Sequence, residues 1–228
     1  MTVDKMIQMG VKESIAHRYI TPLNGAMIRY KINTPLRQAH FFAQVLHESG
    51  MLQYTQELAD GSAYEGRKDL GNNVAGDGKL FKGRGFIQIT GRLTYIEYGN
   101  AIGENISLNP ELVAQPKHAA DSAGWFWTAF KKDAKGRNLN DMADADMFLR
   151  ITYFVNGGFN GLQHRFFLLK KAYEAFAVDN GEARLQGVMK TVIENLAKKP
   201  EDRTGMEKSL LKTIPNVEAA QKLSEGIK

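Results

Sequence analysis

The chain has 228 residues, 43% of them hydrophobic, with no cysteine and a formal net charge of +5. That length and apolar content suit one domain with a substantial core, with or without an appendage, and exclude a disulfide-stapled scaffold. No apolar run approaches the roughly 18 residues of a membrane span, and the basic balance suits either a solvated surface or attraction to a polyanion.

Taken in chain order, Gly and Pro punctuation and period-3.6 patterns give mostly helices. The N-terminal "MTVDKMIQMG" is too polar for a signal peptide, and residues 3–19 read as helix. Residues 22–30 read as a second helix, with Thr21 at its N-cap. The third has the clearest signals: Thr34 as cap, Pro35 at the first position, Gly50 as stop. Its stripe of Leu36, Ala39, Ala43 and Leu46 is widened by Phe41, Phe42 and Val45, which predicts burial on most sides.

Residues 61–85 are rich in Gly, Asn, Asp and Lys and read as a long surface loop, a kind of segment that is often functional. "FIQIT" at 86–90 follows as a short strand. Helices are expected over 116–132, with Trp125 and Trp127, over 143–155, stopped by "NGG" at 156–158, and over 162–177. Beyond Asn180 the character changes. Leu185, Val188, Met189, Val192 and Leu196 form one amphipathic stripe, "KKPEDRTG" breaks it, and a polar helix ends the chain. This reading divides the chain into a main domain over 1–180 and a helical tail over 181–228, either packed on the domain or acting as a binding appendage. No repeat or low-complexity segment is evident.

Several motifs fail on inspection. His47-Glu48 would suit a zinc protease, but that motif needs a second histidine at position 51, which is Met51. Gly83-Arg84-Gly85 has no third glycine and no surrounding βαβ unit, and "GDGK" lacks the spacing of a phosphate loop. Five scattered histidines and no cysteine make no metal cluster, so no metal or other cofactor is expected. His40 and His47 read as packed helix histidines. No nucleic-acid motif and no dense Lys/Arg stripe appears.

Two glutamates remain, nine positions apart in "LHESGMLQYTQE". Glu48 lies in the last turn of the apolar helix, where the negative end of the helix dipole and desolvation both disfavour an ionised carboxylate. That is the condition of a general acid. In a single helix Glu48 and Glu57 would fall on opposite faces. Gly50 lets the chain turn back, and nine residues then suffice to bring two carboxylates within the ~6.5–9.5 Å of an inverting glycosidase. If 86–90 is a strand, Phe86, Gln88 and Thr90 share one side and Ile87 and Ile89 the other. Gln88 and Thr90 then present an amide and a hydroxyl suited to a sugar or a water, although a solvent-facing edge is their plainer use. Gly83 and Gly85 allow close backbone approach. Asn156 has either a free amide at a turn or a plain helix C-cap.

Four segments in order, "INTPLRQAHFFAQVLHESG", "KGRGFIQITGRLTY", "NPELVAQPKHAADSAGWFW" and "VNGGFNGLQHR", together resemble glycoside hydrolase family 19, most of all its lysozyme-like members of phage and prophage. The resemblance spans residues 15–177 and implies a mainly α, lysozyme-like fold with a small β element lining a substrate cleft. It also implies an inverting mechanism, with Glu48 as general acid, Glu57 as general base and Thr90 helping to hold the attacking water. Gln88, Tyr95 and Asn156 fall on substrate-contacting positions, and Arg165 on an arginine that supports the site. Glu65, in "AYEG", is a rival to Glu57. The family often has asparagine where Thr94 precedes Tyr95, and its chitinases carry an acidic residue where this chain has Asn160.

The function expected is peptidoglycan hydrolysis between N-acetylmuramic acid and N-acetylglucosamine by a monomer that needs no cofactor. It would wait in a host bacterial cytoplasm and act on the wall, with no nucleic-acid partner and no membrane insertion. A chitinase, an enzyme delivered between bacteria as a toxin, and a non-catalytic wall-binding module are the alternatives.

Overall fold

The structure, a computed structural model, describes residues 1–225. In chain order its α-helices are α1 (Val3–Gln8), α2 (Glu13–Arg29), α3 (Pro35–Glu48), α4 (Asp77–Leu80), α5 (Arg92–Ile102), α6 (Pro116–Trp125), α7 (Leu139–Asp144), α8 (Phe148–Asn156), α9 (Leu162–Ala175), α10 (Gly181–Ala197), α11 (Gly205–Thr213) and α12 (Val217–Glu225). The architecture is mainly α, as expected. Among the described residues no β-strand forms, only isolated bridges, and no helix is long and apolar enough to cross a membrane. The chain makes two compact units. One is Met1–Lys31 with Glu48–Phe130; the other is Ile32–His47 with the described residues from Lys131 onward.

In the first unit, the helix expected over 3–19 is interrupted at Gly10, whose φ of 99° only glycine adopts easily. The helix after the interruption then runs straight through Pro22 as one 17-residue segment, α2, so Thr21 caps nothing. A proline inside a helix costs about 3 kcal/mol. What offsets it is the face of Ala16, Tyr19, Leu23, Ala26 and Met27, all buried, on a helix packed along α6. Just past the end of α2, Tyr30 lies tight against Gly124, where an added Cβ would stand 2.2 Å from its ring. At the same place the buried Asp121 accepts from the Tyr30 hydroxyl (3.0 Å), the Tyr98 hydroxyl (3.0 Å) and Arg29 (3.3 Å). Burial, reinforced by the Asp121 charge, pushes the Tyr30 phenol well above its ordinary range, so it stays a donor. After α6 the chain widens into a π-helical turn over Phe126–Phe130, which ends the expected 116–132 helix early.

The segment 61–85 is not structureless. It holds 3-10 turns at Ser62–Tyr64 and Lys68–Leu70 and the short α4. Asn72, fully buried, donates to the Tyr64 carbonyl (2.8 Å) and accepts from the Arg92 N–H (2.9 Å). Asp77 is paired with Arg92, whose guanidinium holds its carboxyl below the usual range.

"FIQIT" is not a strand. Arg84 and Ile89 bridge each other through two backbone hydrogen bonds of 3.2 and 2.9 Å, and the four residues between them turn. Gly85 (φ 80°) and Gln88 (φ 57°) are both left-handed. Phe86, Ile87 and Ile89 are all buried, so the expected alternation of faces does not occur.

In the second unit, α3 has the predicted start: Thr34 Oγ accepts from the Arg37 N–H at 3.2 Å. Its expected packed histidine His40 is fully buried and bonded to Asp146 at 2.8 Å. Asp146 also explains why the helix expected over 143–155 is two helices. It sits at φ 56° between α7 and α8, where its carboxylate accepts from the Tyr173 hydroxyl (2.5 Å) and Arg184 (3.0 Å). Burial alone would raise its pKa, but these donors outweigh it and hold the carboxyl at about 2. α7 opens with a capping box of Asn138 and Asp141, and α8 closes at Gly157 (φ 74°). In α10, Leu185, Val188, Met189 and Val192 are buried, and the helix packs on α9 and α12. Helices α7 to α12 belong to the same compact unit.

Two glycines give opposite expected outcomes. Gly124→Ala drives a methyl into the Tyr30 ring and should cost about 1–3 kcal/mol. Gly187→Ala, at an exposed position of α10 with nothing within 4 Å, should gain about 0.4–1 kcal/mol. Urea midpoints at constant m-value measure both.

Candidate active site

Glu48 is the last residue of α3 and half-buried. The chain reverses immediately after it. Gly50, Met51 and Leu52 are left-handed in succession, with φ of 55°, 63° and 64°. For the two non-glycines that conformation costs roughly 1–2 kcal/mol each. Several contacts hold it. The Ser49 hydroxyl accepts from the Leu52 N–H (2.9 Å), the Tyr54 N–H donates to the Ser49 carbonyl (3.0 Å), and Leu52 is fully buried. The Tyr54 ring lies where a Gly50 side chain would stand, 2.8 Å from an added Cβ. The sequence expectation that Gly50 ends the helix and turns the chain is met, with two further residues sharing the turn.

Glu57 then meets Gly83 reciprocally. The Glu57 N–H donates to the Gly83 carbonyl (3.0 Å), and the Gly83 N–H donates to the Glu57 carboxylate (2.7 Å). The second carboxylate oxygen accepts from the Tyr64 hydroxyl at 3.0 Å. Burial and this bond to Glu57 raise the Tyr64 pKa, which keeps the phenol a donor. Thr90 and Gln88 arrive at the same glycine. A Cβ on Gly83 would lie 2.9 Å from Gln88 Oε1, 3.4 Å from Glu57 Cδ and 3.4 Å from Thr90 Oγ1. Three of the predicted polar side chains therefore converge over one residue that has none. Gln88 is steadied by donating to the Gly85 carbonyl (2.7 Å), and the Thr90 hydroxyl donates to the Gln88 carbonyl (2.9 Å).

Glu65, the rival carboxylate, is used elsewhere. Its two oxygens accept from the Gly76 N–H (2.7 Å) and the Gly78 N–H (2.8 Å), so it clamps the loop before α4. Tyr95 is a correction. It is fully buried, donates to the Lys82 carbonyl (2.6 Å) and accepts from Arg84 (3.0 Å). It therefore supports the backbone around Gly83 and cannot touch a ligand. Arg84, itself nearly buried, adds bonds to the Gln56 side chain (2.9 Å) and the Leu80 carbonyl (2.8 Å).

Asn156 and Arg165 belong to the second unit. Asn156 ends α8, and its side-chain oxygen accepts from the Asn160 N–H at 3.3 Å. Arg165, which the resemblance gives as a support of the site, is fully buried and so is not placed to contact a substrate. It donates to the Asn160 carbonyl (3.2 Å) and to Gln44 Oε1 (2.7 Å), and Gln44 donates to the Thr152 hydroxyl (3.0 Å). His47 and His164 share a hydrogen bond of 2.9 Å between their Nδ1 atoms, with Gly161 pressed under the His47 ring. Burial first, then the Arg165 and His164 charges, lower the His47 pKa to about 4. Sequence reasoning gave no role to Tyr64, Gln44, Thr152 or His164, although three of them lie within the quoted segments, because the contacts that give them meaning cross 7 to 121 positions of chain. Among the described residues no cluster of three or more His, Cys, Asp or Glu is placed to hold a metal ion.

Residues 37–140 match the family model described as chitinase class I, Glyco_hydro_19. A Haemophilus influenzae glycosyl hydrolase family 19 domain-containing protein is 30% identical over 127 residues, which are 55% of this chain and 56% of that protein. The Arabidopsis thaliana endochitinase CHI is 36% identical over 40% of this chain and 34% of its own length. The chain thus spans between a third and somewhat more than half of these relatives. Among solved structures, chitinase C from Streptomyces griseus superposes with a TM-score of 0.62 at 22% identity, covering 77% of this chain and 76% of its own. A class IV family 19 chitinase from Zea mays gives 0.56 at 25%, covering 70% and 81%.

The His47 shift has a pH consequence. Folding favours the neutral ring, so its contribution is complete above the ordinary histidine value of 6.5 and is lost as pH falls through about 4. Between those values the stability of the native protein should decline with a slope that His47→Asn flattens. Urea titrations at several pH values read the slope; parallel slopes for both proteins would contradict a neutral His47.

Proposed function

From the premise of a glycoside hydrolase family 19 domain at residues 37–140, we propose that the protein hydrolyses β-1,4 bonds of an N-acetylglucosamine-containing polysaccharide with inversion at the anomeric carbon. The observation that carries this reading is the convergence of Glu57, Gln88 and Thr90 on Gly83, a short chain reversal after Glu48. Glu48 donates its proton to the glycosidic oxygen as the bond to the anomeric carbon breaks. A water attacks that carbon from the opposite face and gives its proton to Glu57. A carboxylate has about four lone-pair sites. Glu57 uses one on Gly83 and one on Tyr64, which fix its direction and leave capacity for a water. The Thr90 hydroxyl and the Gln88 amide flank the same space and steady that water or the sugar beyond it. Both carboxyls return to their starting states by exchange with solvent.

Peptidoglycan is the substrate of this reading. Its support is the likeness to lysozyme-like family members, the net charge of +5 toward an anionic wall and the absence of cysteine. The enzyme then acts on the wall as a monomer. Chitin is the second reading, favoured by the relatives named as endochitinases.

One assay tests both. Purified peptidoglycan and chitin oligomers are digested in parallel and the products identified by mass. New reducing N-acetylmuramic acid ends are expected; products from chitin alone would overturn the peptidoglycan reading. Glu48→Gln and Glu57→Gln should each lower the rate by at least ~10²-fold with the circular dichroism spectrum retained, while Glu65→Gln stays within a few-fold. Silencing by Glu65→Gln with Glu57→Gln active would reverse the assignment of the base.

Gly83→Ala is a separate test of the convergence. Its φ is not left-handed, so alanine suits the backbone, but the methyl pushes the Gln88 side-chain oxygen aside and presses on Glu57 and Thr90. A shift of a few tenths of an ångström at these groups is expected to reduce kcat severalfold while the melting temperature moves little. A fully active Gly83→Ala would mean that these three groups do not work as a unit.

A further inference from the structure

The pair formed by His47 and His164 has no use in the hydrolytic reading. His47 lies in the last turn of α3 and His164 in the first turn of α9, both in the second unit. Their Nδ1 atoms stand 2.9 Å apart. One of them must donate and the other accept, so a single proton lies between two nitrogens that face each other. Each ring is also held from outside the pair. An added Cβ on Gly161 would lie 2.1 Å from His47 Cε1, so the backbone there presses on the ring edge. His164 stacks on Phe167, with ring centres 6.5 Å apart and planes inclined by 17°. His47 is half-buried and His164 exposed, so solvent reaches the pair.

An imidazole ligates a transition-metal ion only when it is neutral. Burial first, and then the Arg165 charge, lower the pKa of both rings, His47 to about 4 and His164 below its ordinary value. Both are therefore neutral at neutral pH. The separation favours one class of ion. Two ligands at a right angle, each about 2.0–2.1 Å from an ion, stand roughly 2.8–3.0 Å apart, whereas a tetrahedral ion needs roughly 3.3 Å between them. The observed 2.9 Å is the right-angle value. Arg165 is the charged group that bears on the pair from α9, and its guanidinium is engaged by Gln44 and the Asn160 carbonyl. Its charge opposes a cation, so the affinity must come from direct ligation by the two nitrogens.

We propose that His47 and His164 form a two-nitrogen site for a divalent ion of tetragonal preference, Cu(II) foremost, with solvent completing its coordination. On binding, the donor ring moves its proton from Nδ1 to Nε2, so no proton is gained or lost and both Nδ1 lone pairs pass to the ion. One hydrogen bond is exchanged for two coordinate bonds. The ion then braces the end of α3 against the start of α9 and stabilises the native state by mass action.

The test is calorimetric titration of the full chain, stripped of metal with a chelator, with Cu(II) and with Zn(II) in a non-coordinating buffer at neutral pH. Electron paramagnetic resonance is recorded on the sample holding one equivalent of Cu(II). One saturable Cu(II) site with a tetragonal spectrum split by two nitrogens is expected, with Zn(II) at least about tenfold weaker. His164→Gln and His47→Asn should each weaken Cu(II) at least about tenfold and leave the splitting of at most one nitrogen, with the circular dichroism spectrum retained. His17, exposed on α2 beside Glu13 at 3.9 Å, is the rival chelating pair on one helix. His17→Gln should leave affinity and spectrum unchanged. No saturable Cu(II) site, Zn(II) bound as tightly as Cu(II), unchanged Cu(II) affinity in His164→Gln, or loss of the site in His17→Gln would each overturn the proposal.

Discussion

The reciprocal pair between Glu57 and Gly83 is the constraint on which the chemistry proposed for the first unit rests. One backbone bond runs from Glu57 to Gly83, and one carboxylate bond returns from Gly83 to Glu57. Neither would fix a side chain alone. Together they determine where the carboxylate stands relative to the chain and which oxygen faces Tyr64. The surrounding structure then serves to keep Gly83 still. Tyr95 and Arg84 hold the backbone beneath it, and Lys82 reaches across to the carbonyls of Glu57 and Ala59. These supports are buried or half-buried and act through main-chain atoms, which makes the position of the carboxylate insensitive to most surface changes nearby.

Strain and support are distributed in a consistent way. The left-handed run after Glu48 and the left-handed Gln88 both adjoin groups assigned to the chemistry, where unfavourable backbone is commonly tolerated because neighbours over-determine it. In the second unit the corresponding device is polar and not steric. Thr152, Gln44, Arg165 and the Asn160 carbonyl form a buried relay that connects α8, α3 and the turn before α9. A partly satisfied network of this kind would be worse than an apolar core, which is why each of its members is matched by geometry and not by charge alone.

The start of α3 was legible in the sequence because its signals are local: a hydroxyl, a proline and a wide apolar face within a few residues. The chain reversal between Glu48 and Glu57 was legible for the same reason, since a glycine breaker is visible at short range. Three errors share another cause. Pro22 stayed inside α2, Asp146 divided α7 from α8, and "FIQIT" became a turn, because in each case distant packing or hydrogen bonding outweighed local propensity. Tyr95 and Arg165 were recognisable as important but not as buried. A motif preserves residue identity, and only the fold decides whether a side chain faces a ligand or the backbone that carries one.

The absence of a strand around Gly83 matters beyond geometry. Arg84 pairs with Gln56 on one side and with Ile89 on the other, a single residue wide in each direction. A regular sheet there would present a row of unpaired donors and acceptors along its outer strand, open to pairing with a second molecule. Isolated bridges offer no such row. A segment with β-branched and aromatic residues in close succession is thereby kept from templating intermolecular association.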